Sequence, residues 1–151
     1  MAGEVTGGCR CGQLRYGIAQ DGPLLNYVCH CLDCQKSTAS AFADQLIVMT
    51  DSLAIEGRST TVEFPRPTGG VSTHHHCPDC LSRVYNLNSQ RPGMAIVRAG
   101  TLDDPSALVP FAHLWTKRKR AWVAIPEGIA TFEENPDPAA FMALAMARGS
   151  T

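Results

Sequence analysis

The sequence has almost no net charge and few charged residues. Lysine and arginine number 13 against 14 aspartates and glutamates, so the formal net charge is -1, and charged residues make up 18% of the chain. This balance provides no overall electrostatic attraction to nucleic acid or to acidic membranes. The sequence also lacks a long basic tail, so a nucleic-acid partner is not expected.

Long hydrophobic runs are absent as well. No stretch approaches the ~20 apolar residues of a membrane-spanning helix, and the first residues lack the basic and then apolar pattern of a secretory signal. We therefore expect a cytoplasmic protein with no membrane association. Thiols stay reduced in that compartment, so the cysteines are expected to bind metal rather than to form disulfides.

The remaining composition is that of an ordinary globular domain. The 151 residues are 44% hydrophobic, and a chain of this length buries roughly 68–70% of its unfolded surface on folding. The simplest prediction is a single domain over residues 1–151. A homodimer is compatible with this composition.

Short apolar segments separated by turn residues predict a mainly β protein. The chain has 13 glycines and 10 prolines, and Leu14, Tyr16 and Ile18 alternate with other residues as in a half-buried strand. A strand spacing of about ten residues favours antiparallel β-sheets over β-α-β units. Further strands are predicted at residues 25–29, 45–49, 53–56, 61–64, 71–76, 82–87, 94–99 and 111–115.

Two helices are also predicted. The C-terminal one has Asp137 as its cap and Pro138 in its first turn, and it continues through residues 139–148, which are rich in alanine, methionine and leucine. Phe141 is expected on its packing face together with residues 144 and 145. A shorter helix is predicted over residues 35–41.

Seven cysteines lie in three tight clusters, and every cysteine is within three residues of another. Thiolates this close repel one another unless a cation holds them, and Zn²⁺ with its tetrahedral preference for sulfur is the usual cation. Because seven is an odd number, complete disulfide pairing within the chain is impossible. The clusters are Cys9 with Cys11, the trio Cys29, Cys31 and Cys34, and Cys77 with Cys80.

The spacing allows two ways of dividing the sulfurs between metal sites. In the first, the two C-x-x-C turns at residues 31–34 and 77–80 share one metal. In the second, the turn at 77–80 shares a metal with the pair at 9–11, and the trio forms a site of its own. Four sulfurs close a structural site, whereas three leave a coordination position open for water or substrate. The compactness of the trio favours the second division, but spacing does not exclude the first.

These motifs resemble the glutathione-dependent formaldehyde-activating enzyme family, whose domain also occurs in centromere-protein-V relatives. The resemblance covers about residues 5–135. Three ordered cysteine motifs at these spacings are highly specific. The matching segments are GGCRCG (7–12), CHCLDCQK (29–36), CPDC (77–80), HLW (113–115) and AWVAIPEG (121–128).

The resemblance implies a fold, two metal sites and an activity. The fold would be a β-rich tent with zinc knuckles. The activity would be that of a carbon–sulfur lyase that forms S-(hydroxymethyl)glutathione, so a thiol, glutathione, and an aldehyde, formaldehyde, are the expected small-molecule partners. A structural zinc would bind Cys9, Cys11, Cys77 and Cys80, and a catalytic zinc would bind Cys29, Cys31 and Cys34.

A zinc ion on the trio can serve this reaction in two ways. It can bind the thiol and favour its thiolate, or it can polarise the aldehyde carbonyl as a Lewis acid. Three thiolates leave the site net negative, which favours thiol binding. The two carboxylates of glutathione need cationic partners. Arg10 and Lys36 are the predicted contacts, with Lys117 and Arg118 as further candidates.

Two positions depart from the family pattern. Leu81 follows the last cysteine pair, where the family usually has glycine, and residues 38–40 read Thr-Ala-Ser where the family tends to have Thr-Gly-Ser. Neither position supplies a sulfur, so metal binding should be retained. Both are expected to reshape a loop beside a site and thereby to affect the substrate.

Three histidines have a structural and a functional interpretation. His30 lies between two sulfur ligands, so its side chain is expected to point away from the metal. His74 and His76 share one face of a predicted strand. Such a pair can bind a metal or titrate near neutral pH, although exposed or hydrogen-bonded strand residues are the commoner case.

The rival function is that of a non-catalytic zinc-binding module for a protein or nucleic-acid partner. The basic run at residues 117–120 would suit such a role. In a chain of near-neutral charge it is instead predicted to be a solvated turn. Trp115 and Trp122 are predicted to be core residues or pocket walls rather than platforms for bases.

Overall fold

A computed structural model describes residues 3–149, and their backbone has the mainly β architecture with a C-terminal helix that the sequence predicts. No helix within this range is both long and apolar enough to span a bilayer. The elements are β1 (Gly3–Gly8), β2 (Arg15–Gln20), β3 (Leu25–Cys29), α1 (Leu32–Thr38), β4 (Ala43–Met49), β5 (Leu53–Glu56), β6 (Thr60–Pro65), β7 (Val71–His76), β8 (Arg83–Asn88), β9 (Met94–Arg98), β10 (Ala112–Leu114), β11 (Ala130–Thr131) and α2 (Pro138–Gly149).

The chain divides into two compact units, and each unit is built from separated segments. The first comprises Met1–Asp21 and Ile47–Ala107, and the second comprises Gly22–Leu46 and Leu108–Thr151. Residues far apart in sequence therefore meet within each unit. The cysteines at positions 9, 11, 77 and 80 belong to the first unit, and those at 29, 31 and 34 belong to the second.

The first unit is antiparallel throughout its described pairings, as predicted. Strands β1, β2 and β5 pair in that order, and β6, β7, β8 and β9 pair in theirs. Alternation places Ile18 of β2 in the core, where it is fully buried, and Val84 and Val97 are fully buried on β8 and β9. Apolar burial of this kind is the main force that holds the strands together.

The second unit contains parallel pairings that the sequence does not predict. Its strand order is β11-β10-β3-β4, and β10 pairs in parallel with both β3 and β11. Strand β10 is only three residues long, so its neighbours rather than its own pattern determine its direction. The register places His113 opposite Val28 and Leu114 opposite Cys29. This pairing brings the 113–115 segment to the cysteine trio.

Helix α2 is capped and packed as predicted. The Asp137 carboxylate accepts a hydrogen bond from the Ala140 N–H at 3.0 Å, which satisfies one of the free donors at the helix start. Phe141 is buried, and its ring lies 5.2 Å from the rings of Tyr27 and Phe111. These edge and tilted contacts attach the helix to the second unit.

One of the tryptophan expectations is wrong. Trp122 is 73% exposed, so it is not a core residue. Trp115 is half-buried, and its indole N–H donates to Asn135 at 2.8 Å. The exposed position of Trp122 follows from the local chain, since residues 119–129 contain no strand or helix that would bury its ring.

Candidate metal centres and substrate cleft

Four cysteine sulfurs of the first unit form one cluster. The Sγ atoms of Cys9, Cys11, Cys77 and Cys80 all lie within 4.8 Å of one another. The distance from Cys9 Sγ to Cys11 Sγ is 3.6 Å, and from Cys11 Sγ to Cys77 Sγ it is 3.7 Å. These are separate thiols, since a disulfide would hold its sulfurs about 2.05 Å apart.

Two tight turns aim these sulfurs at a common point. In the first turn, the Leu14 N–H donates to Cys9 Sγ at 3.2 Å, and Gly12 adopts a positive φ of 84° that favours glycine. In the second turn, the Asp79 N–H donates to Cys77 Sγ at 3.4 Å. Backbone donors that point at sulfur stabilise thiolates, as expected for zinc knuckles.

Two polar side chains also contact this cluster. The Gln13 side-chain amide donates to Cys77 Sγ at 3.3 Å, and the Ser82 hydroxyl lies 3.2 Å from Cys80 Sγ. The Ser82 hydrogen bond, together with backbone donors and Cys11, lowers the pKa of Cys80 to about 5. Cys80 is therefore already disposed to be a thiolate, which is the form that binds metal.

The four-sulfur cluster fits zinc in both geometry and chemistry. Tetrahedral zinc with Zn–S bonds of about 2.3 Å requires sulfur–sulfur distances of about 3.8 Å, close to the two distances given above. Four thiolates are a soft donor set that zinc accepts in closed structural sites. This cluster can therefore hold a zinc ion with no position left open.

The trio forms a second cluster, in the second unit. The Sγ atoms of Cys29, Cys31 and Cys34 lie within 4.8 Å of one another. Cys29 ends β3, Cys31 is the N-cap of α1, and Cys34 is in the first turn of that helix, where its N–H donates to Cys31 Sγ at 3.3 Å. Cys29 is buried, whereas Cys31 and Cys34 are half-buried. The cluster is thus accessible from the α1 side.

The thiols of the trio favour a single thiolate at Cys31. Hydrogen bonds from Cys29 and then Cys34 lower the pKa of Cys31 to about 2. Hydrogen bonds with Cys31 and Cys34 are the main cause that raises the pKa of Cys29, and burial raises it further. A cation is needed before all three can ionise together. The donor set fits zinc, with three sulfurs and one open coordination position.

His30, which lies between two cysteines of the trio in sequence, forms a buried pair with His113. His30 is fully buried, and its Nε2 lies 2.9 Å from His113 Nδ1, with the two rings stacked at 5.2 Å. His30 is not among the clustered ligand atoms, and its Nε2 is directed at His113 instead. Burial lowers the pKa of His30 to about 4 and also lowers that of His113, so both rings are neutral.

A cleft of about 410 Å³ lies along α1, and its lining does not include the three cysteines. Two cationic side chains line it, Lys36 on α1 and Arg120 from the segment between β10 and β11. Gln35 connects α1 with the segment that contains Arg118. Its side-chain amide donates to the carbonyl of His30 at 2.8 Å and to that of Arg118 at 3.0 Å. The remaining lining residues are Leu32, Gln35 and Ala39.

The predicted carboxylate partners lie in different places. Lys36 is exposed on the cleft, whereas Arg10 belongs to the first unit, in the turn between Cys9 and Cys11. Lys117 forms an ion pair with Glu134 at 2.5 Å. Arg118 is exposed but does not line the cleft.

Sequence reasoning missed His113 and Arg120. His113 was part of a family-like segment, but nothing in its spacing linked it to the cysteines. Its contact with His30 arises from the parallel pairing of β10 with β3, which no local pattern predicts. Arg120 is part of a basic run that composition alone assigns to solvent.

Both departures from the family's glycines adopt left-handed backbone. Ala39 has φ 52° at the end of α1, and Leu81 has φ 62° just after the last cysteine pair. A side chain in this region costs about 1–2 kcal/mol, a penalty that glycine avoids. Leu81 is 69% exposed and Ala39 is exposed, so neither side chain compensates through burial.

Glycine at either position is therefore expected to stabilise the protein. Ala39→Gly and Leu81→Gly should each raise the free energy of unfolding by about 1 kcal/mol. This net value already includes the opposing effect of glycine, which increases the conformational entropy of the unfolded chain. Denaturant titration of the zinc-loaded protein measures this. The control is Ser37→Gly inside α1, which should lower stability by a few tenths to 1 kcal/mol. A loss of stability in all three variants would contradict the prediction.

Two comparisons with known proteins found a match, and a third found none. A crystal structure of a Rhodobacter sphaeroides protein matches 84% of this chain and 98% of its own, with a TM-score of 0.51 and 17% identity, so the similarity concerns the fold alone. No curated protein matches the chain. The family model for the glutathione-dependent formaldehyde-activating enzyme matches residues 4–118, a range that includes all seven cysteines. The chain belongs to the glutathione-dependent formaldehyde-activating enzyme family.

Proposed function

We propose that this protein is a zinc-dependent carbon–sulfur lyase that adds glutathione to formaldehyde to give S-(hydroxymethyl)glutathione, and that it catalyses the reverse reaction. In the addition, a bond forms between the thiol sulfur and the carbonyl carbon, and the thiol proton ends on the carbonyl oxygen. No electrons are exchanged with a third partner, so no redox cofactor is needed. The observation that carries the proposal is a cluster of three cysteine sulfurs in a member of this family, with two of the cysteines, Cys31 and Cys34, only half-buried.

The two cysteine clusters would have separate roles. The four-sulfur cluster would be structural because its own residues complete the coordination. The trio would be catalytic because it has one sulfur fewer and because two of its sulfurs are half-buried at the start of α1. Zinc bound there would supply a coordination position at which a substrate thiol becomes a thiolate.

The residues of α1 would hold the substrate in place. Glutathione carries two carboxylates, and Lys36 and Arg120 are two cations on one cleft along α1, the helix that also contains Cys34. Arg120 Nε lies 3.3 Å from the Gln35 side-chain oxygen, so the guanidinium is oriented before a ligand arrives. We therefore assign carboxylate binding to Lys36 and Arg120. A contact from Arg10 remains a prediction.

Removal of either cation should weaken glutathione binding. Lys36→Met and Arg120→Met are each expected to raise the KM for glutathione roughly threefold to tenfold and to change kcat little, because exposed charge pairs contribute modestly to binding. Initial rates at varied glutathione concentrations measure both constants. Arg91→Met, an exposed arginine of the first unit, is the matched control. Equal KM values in all four proteins would remove the cleft from the proposal.

The proposed reaction can be measured at equilibrium by exchange NMR. The native, zinc-loaded protein is added to glutathione and formaldehyde, and the exchange rate between free glutathione and its hydroxymethyl adduct is recorded. The proposal predicts a saturable increase in this rate above the uncatalysed exchange. An increase with another thiol but not with glutathione would refute the assigned substrate, and no increase with any thiol would refute the activity.

The rival role as a nucleic-acid module gains no support from the basic run. Lys117 is paired with Glu134, and Lys119 Nζ donates to the Val123 carbonyl at 2.7 Å. Arg120 is oriented by Gln35 as described above. Two of the four basic side chains, Lys117 and Lys119, thus have partners within the second unit, and Arg120 is assigned to the cleft, so the run does not form a free cationic stripe.

A further inference from the structure

The Cys-x-Cys motif occurs twice in the chain, and its middle residue differs between the two cysteine clusters. In the four-sulfur cluster the middle residue is Arg10, which is exposed and whose N–H donates to Ser82 Oγ at 3.4 Å. In the trio the middle residue is His30, which is fully buried. The closed cluster thus has a solvent-exposed residue between two of its ligands, whereas the open cluster has a residue packed inside the second unit.

Other segments of the second unit hold His30 by its backbone and by its ring. Its N–H donates to the Leu114 carbonyl of β10 at 2.9 Å. Its carbonyl accepts from the Gln35 side chain of α1 at 2.8 Å. The ring has Nε2 at 2.9 Å from His113 Nδ1, and it meets the Phe42 ring edge-on at 5.6 Å. The residue between two sulfur ligands is therefore fixed on several sides.

His113 is itself on a strand that is paired along both edges. Strand β10 lies between β3 and β11, and the His113 carbonyl accepts the Phe132 N–H at 2.9 Å. The parallel register places the next residue, Leu114, opposite Cys29. Side chains on paired strands hold a site more precisely than side chains on loops. The buried ring of His113 is thus a fixed support for His30.

Fold stability alone does not account for this histidine pair. Burial lowers the pKa of both rings, so the neutral pair shares one proton between His30 Nε2 and His113 Nδ1. The outer nitrogens, His30 Nδ1 and His113 Nε2, are buried and make no hydrogen bond within the described residues. One of them must carry an N–H without an acceptor, which is unfavourable in a buried site. Two apolar side chains of similar shape would avoid this penalty.

A metal site with three protein ligands needs more support from the protein than one with four. Four sulfurs complete the tetrahedron around zinc, whereas three leave a position at which ligands are exchanged. The three sulfurs must keep their places during that exchange. Groups behind the ligands provide this support in metal sites, and their loss lowers metal affinity or activity by about 10-fold to 100-fold. His30 is covalently joined to two of the three ligands of the trio.

We propose that His113 is a positioning residue for the trio, and that its hydrogen bond to His30 fixes Cys29 and Cys31 in the geometry that holds a metal with one position open. The effect of His113 on catalysis rests on the proposed function, whereas its effect on metal binding does not. Zinc affinity measured without substrate therefore tests the proposal even if the proposed reaction fails.

The test compares His113→Leu with His113→Asn, two side chains of nearly equal size. Asparagine retains a polar group near the position of Nδ1, and leucine does not. Competition between the full zinc-loaded chain and a chelator gives the zinc affinity of each site, with Cys31→Ser identifying the signal of the four-sulfur cluster. His113→Leu should weaken zinc binding at the trio about 10-fold to 100-fold and leave the four-sulfur cluster unchanged. His113→Asn should recover most of the loss.

A second readout separates positioning from a role in the fold alone. In exchange NMR with saturating zinc, His113→Leu should lower kcat and leave the KM for glutathione unchanged, because Lys36 and Arg120 are not altered. The control is His74→Leu in the first unit. His74 is half-buried, its Nε2 lies 3.1 Å from Ser72 Oγ, and it belongs to no cluster of three or more metal-binding groups among the described residues. This control should retain native zinc affinity at the trio.

Two results would overturn the proposal. The first is native zinc affinity at the trio in His113→Leu, and the second is an equal loss in His113→Asn and His113→Leu, since the hydrogen bond would then not matter. If His113→Leu does not melt cooperatively, the double variant His30→Leu with His113→Leu replaces it. That variant leaves no imidazole of the pair without a partner, so we expect it to fold. Native zinc affinity at its trio would equally contradict the proposal.

Discussion

Cys80→Ser is expected to abolish cooperative folding of the chain. Serine is a poor zinc ligand at neutral pH, so the four-sulfur cluster would lose one of its donors. Structural zinc contributes about 10–16 kcal/mol in isolated peptides, compared with about 5–15 kcal/mol for the whole stability of a typical domain. Loss of even part of that energy exceeds what the first unit can spare. Thermal denaturation followed by circular dichroism would show no cooperative transition.

The surrounding turn supplies the control for this prediction. Asp79 lies between the two ligands of the second knuckle, and its carboxylate pairs with Arg58 at 3.1 Å on the surface. Asp79→Asn should change stability by less than about 1 kcal/mol because exposed ion pairs contribute little. A soluble Cys80→Ser protein that melts as cooperatively as Asp79→Asn would show that the four-sulfur cluster is not structural.

Cys31→Ser is expected to abolish activity and to leave the fold intact. Cys31 is the N-cap of α1 and accepts a hydrogen bond from the Cys34 N–H. Serine is among the best N-cap residues, so it can replace this contact and keep the helix in place. Two sulfurs, however, do not hold a metal with one position open. We expect kcat/KM to fall by about 10³-fold or more, as for the loss of an essential catalytic group.

Exchange NMR measures this loss, and the melting temperature measures the fold. The matched control is Ser37→Ala, an exposed change on the same helix that removes a hydroxyl which donates to the Cys34 carbonyl at 3.2 Å. It should retain activity within about twofold of the native protein. Activity in Cys31→Ser equal to that of Ser37→Ala would place the chemistry outside the trio.

Strands with their own hydrophobic pattern could be predicted from the sequence, and those formed by pairing could not. β5 was predicted with its observed bounds, Leu53–Glu56, and β7 with its bounds, Val71–His76. β1 (Gly3–Gly8) was missed because half of its six residues are glycine, which weakens any strand signal. It is a strand because all six of its residues pair with β2. The two residues of β11 likewise follow from pairing with β10.

Helix α1 shows a similar limit at its start. The prediction was residues 35–41, and the helix spans Leu32–Thr38. It begins earlier because Cys31 acts as its N-cap, a role that a metal-ligand interpretation of the motif does not suggest. It ends earlier because Ala39 turns to a left-handed conformation.

Local spacing defined the cysteine motifs but not how they combine. Whether the pair at 77–80 joins the pair at 9–11 or that at 31–34 depends on which segments share a unit. The first unit contains both 9–11 and 77–80, and the trio lies in the second. That grouping follows from long-range strand pairing, so the residues alone left it open and only the family resemblance implied it.

Zinc content per chain is the most direct test of the account. The measurement is elemental analysis of reduced, chelator-free protein for the native sequence and for Cys31→Ser, with the fold of each checked by its melting transition. The account predicts two zinc ions per native chain and one in Cys31→Ser, with both proteins folded. One zinc ion in both proteins would contradict it, because the trio would then hold no metal and the proposed chemistry would lose its site.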